Sequence, residues 1–207
     1  MKMRQLTLGD LGTNCYILWD ESGEGAVIDP ADDAARILQV LAQEQISLRW
    51  VLLTHAHFDH MLAAGEILRA TSAELMLHKA DAPALSDPIR NLTGLFGYSR
   101  LTVLEAARLL RENDAIHVGK TAITVLHTPG HTPGSCCYYD EAGGRLFAGD
   151  TLFAGSVGRT DFPGGSAATL HASLMRLMEL PDDVTVYPGH DEMTTIGDEG
   201  LYNPYIG

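Results

Sequence analysis

The stretch His55-Ala-His57-Phe-Asp59-His60 places three imidazoles and a carboxylate within six residues, directly after the apolar run Val51-Leu-Leu-Thr54. Such groups repel one another when they are charged and cost free energy when they are buried without partners, and a bound cation relieves both effects. Taken singly, Asp59 suits a helix N-cap and each histidine suits a polar surface. Because all four lie in one short window, the stretch predicts a metal site.

The local structure around this stretch follows from side-chain spacing. His55 and His57 are two positions apart, as on one side of an extended segment. The apolar residues between positions 61 and 68 recur at helical spacing and predict a helix over residues 59–70. Strand, ligand segment and helix therefore follow one another in the chain.

Three further candidate ligands lie downstream, each close behind a β-like run. They are His131 in a segment rich in proline and glycine, Asp150 after Arg145-Leu-Phe-Ala-Gly149, and His190 at the end of Val184-Thr-Val-Tyr-Pro-Gly-His190. Four strands would thus each deliver ligands at their carboxyl ends. Four groups crowded into residues 55–60 are difficult to aim at one point, so we expect two ions.

The pattern His-X-His-X-Asp-His at residues 55–60 matches the signature of the metallo-β-lactamase fold superfamily, which the chain resembles over nearly its whole length. Within that superfamily, Thr128-Pro-Gly-His-Thr-Pro-Gly-Ser135 and Leu146-Phe-Ala-Gly-Asp-Thr-Leu-Phe153 are most similar to glyoxalase II, the hydrolase of S-acylglutathione thioesters. The stretches Gly158-Arg-Thr-Asp-Phe-Pro-Gly164 and Tyr187-Pro-Gly-His-Asp-Glu-Met-Thr-Thr-Ile196 resemble its short, single-domain bacterial relatives.

The resemblance implies an α/β (α+β) fold, namely a four-layer αβ/βα sandwich of two mixed β-sheets flanked by helices. It also implies a single domain over residues 1–207. The sequence stops seventeen residues after His190, so we expect no C-terminal helical domain of the kind that helps glyoxalase II to bind glutathione.

The resemblance further implies a role for each candidate ligand. The positions that hold one metal in the dinuclear members match His55, His57 and His131. Those that hold the other metal match Asp59, His60 and His190, and the bridging carboxylate matches Asp150. Imidazole and carboxylate ligands suit zinc, iron and manganese, and we expect two divalent ions, with zinc the first candidate.

Two divalent ions about 3.5–4 Å apart lower the pKa of a bridging water toward about 7, which makes hydroxide available at neutral pH. We therefore predict a metal-dependent hydrolase that uses this hydroxide to cleave S-D-lactoylglutathione or a related acyl thioester. Asp59 is a candidate for handling a proton, although a carboxylate bound to a cation is a poor base. By resemblance, Arg159 and Phe162 belong to a loop that approaches the substrate, and a salt bridge of Arg159 with Asp161 is the structural alternative.

A second function stays open at this point. The persulfide dioxygenases share the fold and a similar Gly-Arg-Thr-Asp-Phe segment, but they use one iron held by residues that match His55, His131 and Asp150. Retaining Asp59, His60 and His190 permits a second metal without requiring it. A non-catalytic metal-binding module is the third alternative, and an intact two-metal ligand set argues against it.

Composition and charge limit the kinds of partner that we expect the protein to bind. The formal charge of −13, from 27 acidic and 14 basic residues, would repel phosphate backbones, and no basic cluster stands out, so we expect no nucleic-acid partner. No apolar run approaches the roughly 20 residues that a membrane span needs, and the first residues lack the apolar stretch of a signal peptide. We expect a cytoplasmic protein that acts on a small molecule and contacts no membrane. The three cysteines do not form a disulfide framework pattern, and the oligomeric state is left open.

The rest of the sequence alternates β-like and helical patterns. Three β-runs in the first 29 residues are followed by an amphipathic helix over residues 31–45, and strands and helices then alternate to residue 85. Periodicity fails over residues 86–100, which we interpret as a loop over the site, either lining a substrate entrance or forming a satellite core. Four strands, a helix over residues 167–179 and a last strand complete the prediction.

Overall fold

The computed structural model describes residues 1–98 and 103–206, and in this part the chain builds two six-stranded β-sheets. The first sheet keeps the order of the chain and contains β1 (Lys2–Leu8), β2 (Thr13–Trp19), β3 (Glu24–Ile28), β4 (Ser47–Leu52), β5 (Glu74–His78) and β6 (Arg108–Leu110). Strands β1 to β3 pair in antiparallel fashion, and β3 to β6 pair in parallel fashion.

The remaining strands are β7 (Ala115–Val118), β8 (Thr121–His127), β9 (Cys136–Asp140), β10 (Arg145–Gly149), β11 (Leu152–Phe153), β12 (Ser156–Val157), β13 (Thr185–Pro188) and β14 (Thr194–Thr195). The second sheet has the spatial order β14-β13-β10-β9-β8-β7, while β11 and β12 form a small separate ribbon. Strands β10 and β13 are parallel, and every other neighbouring pair in this sheet is antiparallel. Both sheets are therefore mixed.

Among the described residues, five α-helices accompany the sheets: α1 (Ala34–Gln43), α2 (Ala64–Ala70), α3 (Thr93–Phe96), α4 (Ala167–Leu177) and α5 (Ile196–Tyr202). Helix α1 begins where the Asp33 carboxylate accepts a hydrogen bond from the backbone N–H of Arg36, which caps the helix. Among the described helices, none is both long and apolar enough to cross a membrane.

The layers follow from the alternation of side chains along each strand. Ile17 of β2 packs with Ile37 of α1 on the outer face of the first sheet, whereas the next residue, Leu18, belongs to the core between the two sheets together with Phe147. Helices α4 and α5 cover the outer face of the second sheet, where Leu174 is buried. The order helix, sheet, sheet, helix confirms the predicted four-layer sandwich of two mixed sheets; the single domain over residues 1–207 stays a prediction.

The segment after His57 differs from the prediction. The sequence predicts a helix over residues 59–70, but the structure has one 3₁₀ turn at Phe58–His60, and α2 begins only at Ala64. Backbone N–H groups in this turn bond three residues back, and the N–H of Ala63 bonds to the carbonyl of Pro30. The prediction of a helix is wrong for its first turn, because these tertiary and 3₁₀ hydrogen bonds replace the α-helical ones.

The predicted loop over residues 86–100 contains the helical turn α3, and its last two residues lie outside the described part of the chain. Leu92 and Thr93 are buried, whereas Leu95 and Phe96 are exposed. The described part of the loop therefore buries some of its side chains and presents other, apolar ones to solvent. Strands β6 and β14 and helix α5 are short elements where the sequence analysis predicts none.

Candidate metal centre

The site lies at one edge of the sandwich because the strands that lead to it run in the same direction within each sheet. Strands β3, β4 and β5 are parallel, and β8, β10 and β13 also share one direction. Their carboxyl ends therefore meet at a common edge. The polar residues that follow these strands are Asp29, His55, Asp81, His131, Asp150 and His190.

Three histidines form the first part of the centre, which we call the three-histidine group: His55, His57 and His131. The Nδ1 atom of His57 lies 3.1 Å from Nε2 of His55 and 3.0 Å from Nε2 of His131. All three side chains are buried, and one nitrogen of each lies within 4.8 Å of the other two. Three imidazole nitrogens thus converge on one point, as the ligands of a metal ion do.

The second part is the aspartate–histidine group: Asp59, His60 and His190. The Oδ2 atom of Asp59 lies 3.3 Å from Nε2 of His190 and 3.6 Å from Nε2 of His60. The side chain of His60 is fully buried, whereas those of Asp59 and His190 are 13% and 21% exposed. This group therefore faces the surface more than the three-histidine group does.

Asp150 lies between the two groups. Its Oδ1 is 3.3 Å from Nε2 of His60, and its Oδ2 is 3.5 Å from Nε2 of His131 and 3.7 Å from Nε2 of His190. One carboxylate thus approaches ligands of both groups, as a bridging ligand would. The backbone leaves room for it only because residue 189 is glycine, since a Cβ at Gly189 would collide with Oδ1 of Asp150.

The donor atoms themselves indicate whether metal ions fit. Nε2 of His60 and Oδ1 of Asp150 are buried, and neither has a hydrogen-bond partner among the described residues. A buried polar atom without a partner costs free energy, and both atoms point into the space between the ligands. Nε2 of His57 is also unpartnered. Divalent cations would satisfy the two inward-facing atoms, so the residues fit a two-metal centre.

Electrostatics prepare the three-histidine group to bind a cation. Burial, followed by the charge of His131 when protonated, lowers the pKa of His57 to about 3. Burial and the neighbouring histidines lower the pKa of His55 well below its usual value. Both imidazoles are therefore neutral at physiological pH, and their lone pairs are available to a metal.

In the aspartate–histidine group, nearby carboxylates offset the effect of burial on the pKa of His60. Burial opposes protonation of His60, but the negative charges of Asp150, Asp59 and Asp29 outweigh it and raise the pKa of His60 well above its usual value. Burial would likewise raise the pKa of Asp150, but His60 and His131 hold it well below the usual range. Negative charge thus concentrates where the second ion is expected.

Asp29 is a supporting residue that the sequence analysis missed. Its Oδ2 accepts hydrogen bonds from Nδ1 of His60 at 2.9 Å and from Oγ1 of Thr54 at 2.6 Å, and its Oδ1 accepts from the backbone N–H of Thr54 at 2.8 Å. It therefore turns Nε2 of His60 toward the metal positions. A signal was present, because Asp29 directly follows β3 just as the predicted ligands follow other strands.

Backbone carbonyls orient two more ligands. Nδ1 of His131 donates to the carbonyl of Arg159 at 2.7 Å, and Nδ1 of His190 donates to the carbonyl of Leu11 at 3.1 Å. In each ring the other nitrogen, Nε2, is then left to face Asp150. Sequence patterns carry no signal for such contacts because any residue supplies the carbonyl.

Asp59, the candidate for handling a proton, accepts a hydrogen bond from Oγ1 of Thr13 at 3.0 Å. Its burial would raise the pKa, but His60 and His190 outweigh that effect and lower it. The carboxylate is therefore ionised at neutral pH. Its side chain does not cap a helix, and its catalytic role stays a prediction.

Arg159 and Phe162 lie beside the three-histidine group. The Phe162 ring centroid is 6.0 Å from that of His57, and the Arg159 guanidinium lies 3.9 Å from the Phe162 centroid. Arg159 also forms two 2.7 Å hydrogen bonds with the Asp161 carboxylate, and both side chains are more than half exposed. The salt bridge of Arg159 with Asp161, which was the structural alternative, is thus observed. Contact of Arg159 or Phe162 with a substrate stays a prediction.

Comparisons with known proteins agree with this geometry. A family model of the metallo-β-lactamase superfamily matches residues 8–190. The chain is 33% identical to a protein of Haemophilus influenzae named hydroxyacylglutathione hydrolase GloC, over 93% of this chain and 92% of that protein.

Three solved structures share the fold. BLEG-1 B3 metallo-β-lactamase is 37% identical with a TM-score of 0.94, and 99% of each chain is covered. TTHA1623 in a di-iron-bound form is 37% identical with a TM-score of 0.89, over 98% of this chain and 99% of that one. ETHE1 from Myxococcus xanthus is 35% identical with a TM-score of 0.83, over 99% of this chain and 84% of that one. The chain therefore belongs to the metallo-β-lactamase superfamily, with a metal-binding cluster of histidines and aspartates and with homologues named as hydrolases.

Proposed function

We propose that this protein is a metal-dependent thioester hydrolase of the glyoxalase II type, acting on S-D-lactoylglutathione or a related acyl thioester. The observation that carries the proposal is the convergence of the three-histidine group and the aspartate–histidine group on either side of Asp150. The similarity to hydroxyacylglutathione hydrolase GloC supports the thioester substrate.

The ligand set defines how the chain would hold its ions. The three-histidine group would hold one ion, the aspartate–histidine group would hold the other, and Asp150 would contact both. When bound, two divalent ions supply an activated water nucleophile and positive charge that stabilises a developing oxyanion. Zinc is our first candidate, with iron or manganese as alternatives; the solved structure of TTHA1623 in a di-iron-bound form keeps iron in consideration.

A protein nucleophile is not expected in this reaction. Burial raises the pKa of the Cys137 thiol to about 11, and it raises the pKa values of Cys15 and Cys136 as well. The three thiols are therefore protonated at neutral pH and shielded from solvent. This arrangement supports direct hydrolysis without a covalent cysteine intermediate.

The aromatic side chains beside the centre would contact the substrate. Phe162 lies between His57 and Phe96, at centroid distances of 6.0 Å and 6.2 Å. Phe96 is 48% exposed, so the two rings offer an apolar surface to an acyl chain or to the methylene groups of a thiol carrier. Arg159, stacked on Phe162, would place a positive charge next to this surface for a substrate carboxylate.

Asp59 is our candidate for handling a proton. Oδ2 of Asp59 lies 3.3 Å from Nε2 of His190 and accepts from Thr13. The carboxylate is ionised, because His60 and His190 lower its pKa. It would accept the proton of the attacking hydroxyl group as the carbon–sulfur bond breaks and the thiolate leaves, although binding a cation would weaken it as a base. If the Asp59→Asn variant keeps both metals and full turnover, Asp59 does not have this role.

The similarity to ETHE1 favours one alternative, an iron-dependent oxidation of a persulfide. That reaction would use one iron held by His55, His131 and Asp150, as the family resemblance implies. It would not explain why Asp59, His60 and His190 converge as a further group of ligands. We therefore place thioester hydrolysis first.

The test is thiol release from S-D-lactoylglutathione by the purified protein loaded with zinc, iron or manganese in separate preparations. We expect release that is lost in His55→Ala and retained in His171→Ala, because His171 is an exposed residue of α4 outside the ligand groups. Metal-loaded protein that releases no thiol would exclude S-D-lactoylglutathione as the substrate and would leave a different acyl thioester or a persulfide as the candidates. Oxygen consumption with glutathione persulfide would then identify the dioxygenase, and cleavage of a chromogenic β-lactam would identify a lactamase.

A further inference from the structure

Asp81 is a buried aspartate that belongs to neither ligand group. It follows β5 by three residues and is 3% exposed. A buried carboxylate is costly unless hydrogen bonds compensate for its lost hydration. Its partners therefore indicate why the fold retains it.

The partners of Asp81 lie in the two segments that carry the three-histidine group; two of them directly adjoin a histidine, and the third, Gly134, lies three residues after His131. Oδ2 accepts from the backbone N–H of Ala56 at 3.1 Å and from Oγ1 of Thr132 at 2.7 Å, and Oδ1 accepts from the backbone N–H of Gly134 at 2.6 Å. Ala56 stands between His55 and His57, and Thr132 directly follows His131. One carboxylate thus joins two segments that come from different sheets.

We propose that Asp81 is a positioning residue that sets the spacing between the His55–His57 segment and the His131 segment, and so selectively tunes the affinity of the three-histidine group for its ion. The inference rests on the two-metal centre proposed above. It assigns Asp81 no contact with the substrate or with the ion.

The hydrogen-bond pattern explains why only a carboxylate serves here. All three partners are donors, and both carboxylate oxygens are acceptors. In Asp81→Asn, the amide NH₂ would face either the N–H of Gly134 or the donors from Ala56 and Thr132. The two segments would then move apart on one side, although the side chain keeps its size.

The packing leaves little freedom to compensate. A Cβ at Gly134 would lie within 2.6 Å of Asp81 atoms, so the His131 segment approaches Asp81 more closely than any other residue type allows. Thr132 is fixed further by Ser135, whose Oγ accepts from the Thr132 N–H at 3.0 Å. A change at Asp81 should therefore be transmitted to His131.

Asp140 provides a matched control. It is fully buried, and it accepts from the N–H of Gly143 at 3.0 Å and from the Arg145 guanidinium at 2.6 and 3.0 Å. It lies at the end of β9 opposite to Cys136 and the site. Asp140→Asn therefore removes an equally buried carboxylate without touching a ligand segment.

The test measures metal affinity, with Zn²⁺ and Co²⁺ titrated against a chelator into folded wild type, Asp81→Asn and Asp140→Asn. In Asp81→Asn we expect about 10–100-fold weaker binding of one ion, the one that His57→Ala also loses, and an altered Co²⁺ visible spectrum. The other ion should keep its affinity within about threefold, and Asp140→Asn should lower the melting temperature while keeping both affinities.

Unchanged affinities in Asp81→Asn, or equal losses in Asp140→Asn, would overturn the inference. If Asp81→Asn does not fold, Thr132→Val decides, since it removes one donor to the carboxylate; it should weaken the same ion by a smaller factor, and no change would overturn the proposal. Wild-type protein that binds no metal would overturn the metal centre itself. Wild type that binds two ions without cleaving thioesters would overturn only the proposed activity.

Discussion

The two ligand groups of this centre are built in different ways. The three-histidine group is buried and composed of imidazoles, and its two segments are joined by the buried carboxylate of Asp81. The aspartate–histidine group contains a carboxylate, and His190 is oriented by the carbonyl of Leu11 in an exposed turn. The first group depends on buried contacts that link the sheets, whereas the second combines a buried contact of His60 with Asp29 and a surface turn that orients His190. The two groups therefore differ in their burial and in the contacts that position their ligands.

The largest expected effect comes from removing what the two groups share. Asp150→Ala should lower kcat/KM for the thioester by about 10³-fold, or about 4 kcal/mol of transition-state stabilisation, because its carboxylate approaches ligands of both groups. Steady-state kinetics with parallel metal analysis measures the effect. A loss smaller than about tenfold would show that the two groups work independently of Asp150.

The next prediction concerns mainly the aspartate–histidine group. Asp29→Asn should weaken one ion by about 10–100-fold, because an amide NH₂ would face a donor from either His60 or Thr54. The ion held by the three-histidine group should lose less affinity, since Asp29 reaches that group only through Thr54, whose Oγ1 lies 3.1 Å from Nδ1 of His55. Chelator competition with Asp81→Asn as the reciprocal variant measures both affinities. Loss of the same ion in both variants would contradict the division into two groups.

A smaller effect is expected at the surface beside the three-histidine group. Phe162→Ala should raise KM for the thioester about five- to tenfold with a minor change in kcat, because the ring would bind substrate without contacting the reacting atoms. Initial rates over a range of substrate concentrations separate the two parameters. Leu201→Ala on the exposed face of α5 is the control, and equal KM values for both variants would exclude a substrate contact at Phe162.

The smallest effect concerns stability next to Asp81. His78 stacks on His127 at 3.8 Å, and burial, followed by His127 and Lys79, lowers the pKa of His78 to about 4 despite the opposing charges of Glu112 and Asp114. The unfolded chain therefore takes up a proton near pH 6.5 that the folded chain takes up only near pH 4. The contribution of neutral His78 to the free energy of unfolding is therefore present above pH 6.5 and is lost as the pH falls toward 4.

His78→Gln removes this titration, so its melting temperature should fall less between pH 7 and pH 4.5 than that of the wild type, by about 3 °C or more. Both proteins are measured with chelator so that metal release does not contribute. Parallel pH profiles would show that His78 does not remain neutral in the folded chain.

Much of the site could be predicted from the sequence because the ligands have characteristic residue types and lie at characteristic positions after strands. His55, His57, Asp59 and His60 share one short window, and the three distant candidates each follow a β-like run. The same rule applied to Asp29, which follows β3, would have added it. Asp81 was harder to find, since a single acid three residues past a strand resembles many surface residues.

The sequence by itself determined the identity of the candidate ligands, because an unusual cluster of metal-binding residue types is a local property of the chain, and the resemblance of its motifs to a known superfamily indicated the fold class and the family. The tertiary structure alone decided the 3₁₀ turn at Phe58–His60 and the contacts of Asp29 and Asp81. The physical reason is distance along the chain: these contacts join residues from different strands and sheets, and no local pattern records which donor a buried carboxylate will meet.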